Sequence, residues 1–158
     1  MIDFTEQEFE EVRMKGEELY NSLEDVHCPY FNEKISFTPE GLDHLAFRSG
    51  SRYRSVKDQY MRFKLLHLVP EILKLSRTLQ GIREVRKFER VRIHSRTENV
   101  LKLVKYYQFI AVLGRHRLMV IVKQIENGAK FFWSIIPFWG MNKETMSRML
   151  FEGNPEND

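Results

Sequence analysis

The chain has 158 residues, enough for one domain with a buried core, and its 42% apolar and 13% aromatic content excludes wholesale disorder. A net charge of +3 hides a division: residues 1–33 carry ten Asp/Glu against two Lys/Arg, whereas residues 34–130 carry twenty-one Lys/Arg against eight Asp/Glu. No apolar run approaches the roughly 18–20 residues of a membrane helix, the acidic start MIDFTEQEFEEV lacks a secretory pattern, and a lone Cys28 excludes an internal disulfide framework.

Those exclusions make the cytoplasm the expected compartment. Basic surface of this density is the footprint of a phosphate-rich partner, because condensed counterions are released when Lys and Arg meet phosphates. A nucleic acid is the expected partner; the alternative is a solvated basic surface.

In chain order, residues 5–24 read as an amphipathic helix. Thr5 and Glu8 form a capping-box signal, and Phe9, Val12, Gly16, Leu19 and Leu23 recur at helical spacing. Residues 25–33 are a Pro-containing connector. Lys34–Phe37 alternates like a short strand, and Thr38-Pro39 then opens a short helix, TPEGLDHLAF. Arg48 begins a basic stretch, RSGSRYRSVK, with the composition of a mobile loop. A longer helical region runs from Ser55 to about Thr78, with Pro70 predicting a kink or the start of a second helix.

After Gly81 the period becomes strand-like. Strands are predicted at about 84–95, 104–113, 117–126 and 130–137. Residues 97–103 are a candidate helical turn between the first two, and Asn127-Gly128 signals a tight last hairpin. A short helix at about 143–150 and a polar tail complete the chain. The fold class is therefore α+β, with N-terminal helices packed on a four-stranded antiparallel meander and a short C-terminal helix. Three units follow: an acidic helix and connector at 1–33, an α+β body at 34–140, and a helix with tail at 141–158.

Alternation places Arg90, Arg92, His94 and Arg96 on one strand face, with Val91 and Ile93 turned to the core. Such a row suits successive phosphates, since guanidinium presents paired donors to phosphate oxygens; the alternative is an exposed face of mixed charge. Arg48 joins these arginines as an RNA-binding candidate. Lys123 and Ser134 fall within one or two residues of being cross-strand neighbours. Either Ser134 simply bonds a neighbour, or the two offer an ammonium and a hydroxyl to a phosphate. His44, beside Leu42 and Leu45, is either a partly buried structural histidine or a general acid/base. No Gly-rich phosphate loop, zinc spacing or paired-carboxylate motif is present, so neither a cofactor nor a metal is expected.

The runs ISFTPEGLDHLAFR, VPEILKLS, YYQFIAVL, LMVIVKQIENG and KFFWSIIPFW, in that order, resemble the barnase/EndoU/colicin/RelE-like (BECR) nuclease superfamily, its phage-associated branch in particular. The resemblance covers about residues 34–139. It implies a metal-independent endoribonuclease, toxin-like or active in phage conflict, that cleaves by 2′-hydroxyl attack to leave a cyclic phosphate. It also implies His44 as general acid/base, with Lys123 and Ser134 binding or polarising the phosphate. Arg92 and His94 match loosely as basic residues of the first sheet strand. A restraining inhibitor or antitoxin protein is a further implied partner. The long segment between the first two strands departs from the superfamily pattern. Two other readings remain open at this level: an RNA-binding module without chemistry, and a protein-interaction subunit.

Overall fold

The computed structural model describes residues 3–48, 52–113 and 116–137, together with the backbone of Met141–Asn142 and Ser147–Arg148. Helix α1 (Glu6–Ser22) carries the full reciprocal cap: the Glu8 amide donates to the Thr5 hydroxyl at 3.1 Å, and the Thr5 amide donates to the Glu8 carboxylate at 2.7 Å. Its stripe buries Phe9, Gly16 and Tyr20. A Cβ on Gly16 would come within 2.6 Å of the Phe63 ring, so the glycine sets how closely this helix approaches its neighbour.

The expected connector is instead a small hairpin. Strand β1 (Val26–Cys28) pairs antiparallel with β2 (Glu33–Ile35), burying Cys28 and Ile35. Helix α2 (Pro39–Ala46) starts where Thr38-Pro39 predicts, although the Thr38 side chain makes no capping bond. Gly41 lets α2 lie against the sheet: an added Cβ would meet the Phe132 carbonyl oxygen at 2.6 Å.

Described parts of the expected basic loop are regular structure. Strand β3 (Phe47–Arg48) pairs with β4 (Arg52–Tyr53), and Arg54 beyond it is buried. Ser55 then caps α3 (Val56–Leu65), its hydroxyl accepting from the Asp58 amide. A 3₁₀ turn at Leu66–Leu68 leads into α4 (Val69–Leu75), with Pro70 in its first turn, where a missing amide costs nothing.

Strands β5 (Gly81–Ile93), β6 (Arg96–Leu113), β7 (His116–Ile125) and β8 (Lys130–Pro137) form one antiparallel meander in that order. The fold class stands as read: α+β, with helices packed on a four-stranded sheet. One sheet face packs Tyr107, Phe109, Val120, Val122, Phe132 and Ile135 against the helices. The opposite face carries a second apolar cluster, Val104, Tyr106, Met119, Ile121 and Ile136.

Several local expectations are corrected. Residues 97–103 are strand, not a helical turn, and β5 reverses directly through His94-Ser95, both at positive φ (48° and 68°). That geometry matches the mirror-image turn favoured by twisted hairpins. The last hairpin is looser than Asn127-Gly128 implied: Gln124 pairs with Lys130, and Glu126 takes a φ of 52°. Of the expected C-terminal helix, Ser147–Arg148 pairs as a strand with Met141–Asn142, and the rest lies outside the described residues.

The acidic head braces the body. Helix α1 lies along α3, and Phe4 stacks on Tyr60 at 4.1 Å between ring centroids. No helix among the described residues is long and apolar enough to cross a membrane.

Candidate active site

Strand β7 pairs with β6 only from Val104 onward, so the last eight residue pairs of β5 and β6 project past the sheet as a two-stranded arm. Two-stranded ribbons twist more than wide sheets, and this one coils back over the second sheet face. Lys123 lies level with Arg83, and Glu89 is a further ~20 Å along an extended strand. Yet the Glu89 carboxylate reaches within 3.4 Å of the Lys123 ammonium. Only a curled arm permits that contact.

Beneath the arm is a cleft of about 630 Å³. Helix α2 contributes Glu40, Asp43 and His44; the arm contributes Lys87, Phe88, Glu89 and Arg90; the sheet contributes Lys123 and Trp133. The centrepiece is Trp133. Register shifts between Ile121, opposite Ser134, and Val122, opposite Phe132, leaving Trp133 as the extra residue of a β-bulge. Bulges re-aim side chains, and they gather beside functional sites for that reason. Trp133 stacks on the His44 ring at 4.3 Å between centroids, and the Lys123 ammonium lies 4.1 Å from its ring centre.

His44 is 4% exposed and held from behind. The buried Arg54 guanidinium donates from Nε to the His44 carbonyl (2.9 Å) and lies 3.0 Å from His44 Nε2 through Nη2. Arginine can only donate, so Nε2 accepts and the imidazole proton resides on Nδ1. Asp58 bridges Arg54 (3.5 Å) and Arg62 (2.7 Å). Arg62 in turn donates to Ser134 Oγ at 2.8 Å and to the Ile135 carbonyl at 2.9 Å. A continuous polar chain therefore runs from the edge of β8, through α3, to the histidine.

Burial pulls the Lys123 ammonium below its ordinary 10.5, while Glu89 opposes the shift and Lys87 adds to it. An unfolded lysine keeps its proton up to the ordinary value. Between the two values the unfolded chain thus holds the extra proton, and this group's contribution to stability rises with pH. Tyr20, Tyr107 and Cys28 act oppositely at alkaline pH, because burial raises each of them. Comparison with Lys123→Met isolates the lysine. The stability of wild type relative to the variant should improve from neutral pH towards 10.5, read from urea midpoints. Parallel curves would remove the desolvated ammonium from the account.

Of the residues singled out from sequence, the cleft unites His44, Lys123 and Arg90. Ser134 does not line it: the hydroxyl is fully buried and bonded by Arg62, the simpler of its two expected fates. His94 occupies the exposed turn at the arm's tip. The expected row of four is broken there. Arg90 and Arg92 share a face, but Arg96 follows the turn and pairs with Ile93, on the other face. Ile93 is exposed on the arm and not in the core. Arg48 contributes backbone pairing to Arg52; its side chain is outside the described residues.

Sequence reasoning missed Arg54, Asp58, Arg62 and Glu89. The i,i+4 spacing of Asp58 and Arg62 was a usable signal for an ion pair on one helix face, which Arg54, just before the helix cap, extends. Glu89 had none, since its partner is set by the coiling of the arm. Among the described residues, no three His, Cys, Asp or Glu gather as a metal-ligand set. No family model, curated protein or solved structure matches the chain.

Proposed function

We propose that the protein is a metal-independent endoribonuclease, toxin-like in kind and acting in the cytoplasm, with the cleft under the arm as its active site. The observation that carries this reading is the convergence of His44, Lys123 and Glu89, from three separate elements, around Trp133. The resemblance of residues 34–139 to BECR nucleases supports it from the sequence side.

The cleft's charge favours chemistry over simple grip. Three carboxylates (Glu40, Asp43, Glu89) face three cations (Lys87, Arg90, Lys123), whereas a surface built only to hold phosphates would carry one sign. In the proposed reaction the 2′-hydroxyl attacks the adjacent phosphorus and the P–O5′ bond breaks, leaving a cyclic phosphate. Glu89 accepts the 2′-hydroxyl proton. His44 donates its Nδ1 proton to the departing 5′-oxygen and becomes an imidazolate, whose negative charge the Arg54 guanidinium at Nε2 stabilises. Lys123 turns from Glu89 to the phosphorane and neutralises its charge. Ser134 and His94 take no part.

Purified protein should degrade single-stranded RNA in EDTA and yield 2′,3′-cyclic phosphate ends. Tight RNA binding without turnover would replace this reading with that of an RNA-binding module, which the exposed basic arm favours. No affinity for RNA at low salt would end both and leave a protein-interaction role.

A further inference from the structure

The outer face of the arm moves no proton in the proposed cleavage, although its Phe88 and Arg90 reach the cleft. On β5 it presents Arg86, Phe88, Arg90 and Arg92 at alternate positions. Phe88 is 68% exposed and pairs across the ribbon with Leu101, itself 50% exposed. An isolated two-stranded hairpin is marginal in water, and an exposed Phe at its centre adds nothing to its own packing. Arg86, Arg90 and Arg92 are likewise exposed.

We infer that this face is a binding track for single-stranded RNA, with an unpaired base stacked on Phe88 and the neighbouring phosphates held by Arg86, Arg90 and Arg92. The inference rests on the ribonuclease reading and names its substrate class. Three observations support it. The face is positively charged, which fits a phosphate chain. It carries one open aromatic ring between arginines, the composition of a stacking platform, because every base has a π-face. Phe88 and Arg90 also line the cleft, so the track leads into the proposed active site. Duplex RNA fits poorly: its bases are already stacked, and its deep major groove excludes side chains.

The test uses the full-length protein and a fluorescein-labelled oligouridylate, with duplex RNA of equal length as comparison. Phe88→Ala should weaken binding of the oligouridylate about tenfold. Arg86→Gln and Arg92→Gln should each reduce the slope of log affinity against log salt by about 0.7, one phosphate's share. Because Phe88 is exposed, an unchanged urea midpoint is expected and separates lost binding from lost fold. Equal or tighter binding of duplex, or unaltered affinity in Phe88→Ala, overturns the track while leaving the cleavage reading intact. Wild-type protein that neither binds nor cuts RNA fails both.

Discussion

Replacing His44 with Gln should lower RNA cleavage by about 10²–10⁴-fold, the range for loss of a positioned proton donor, and leave the protein folded. Glutamine is the informative choice. Its side-chain oxygen reaches the place of Nε2 and still accepts from Arg54, so no buried guanidinium loses its partner there. Alanine would confuse two effects, because it also empties the space against Trp133. The measurement is single-turnover cleavage of labelled RNA in EDTA, alongside a urea midpoint for each protein. Cleavage within threefold of wild type, with the midpoint preserved, would remove His44 from the chemistry. A midpoint that collapses would show that the stack on Trp133 is chiefly structural, and Lys123→Met then becomes the independent probe of the cleft.

The second large effect concerns stability. Arg62→Ala should cost about 3–5 kcal/mol, the loss seen when one member of a buried ionic set is removed. Arg62 is 4% exposed. It bonds Asp58, the Ser134 hydroxyl and the Ile135 carbonyl with one guanidinium. Strand β8 is the edge of the sheet, and edges need cover. Ser36 covers one part of it through paired backbone bonds to Lys130 and Phe132; Arg62 covers a later part. Its removal uncovers backbone as well as unbalancing Asp58. Arg62→Lys should recover little, since one ammonium cannot reproduce a planar fork. A urea midpoint lowered at constant slope is the expected signature. A loss below 1 kcal/mol would show that water substitutes for the arginine.

Local chemistry explains what was legible beforehand. The Thr5–Glu8 box, Pro39 and Pro70 mark helix starts through interactions within three or four residues, and these appear where expected. The alternating runs from β5 to β8 mark strands for a similar reason, since alternation reports a face whatever the partner. The misassigned places share a cause too. Residues 97–103 look interrupted because Thr97, Glu98 and Asn99 near the arm's tip are all exposed, whichever face they take, which erases the apolar alternation that a packed strand shows. The basic stretch after Arg48 looks mobile by composition, yet Arg54 is buried because His44 and Asp58 await it.

Taken alone, the sequence determined the α+β class, the meander, the helix starts and the excess of basic charge on the body, because each depends on short-range periodicity or on composition. It also brought His44 and Lys123 forward. Tertiary structure alone decided which candidates meet. The bulge that presents Trp133, the coil that carries Glu89 to Lys123, and the Arg62 bond that withdraws Ser134 each join residues far apart in the chain. Such contacts are set by sheet twist and by the need to satisfy buried polar groups, and neither leaves a periodic trace in sequence.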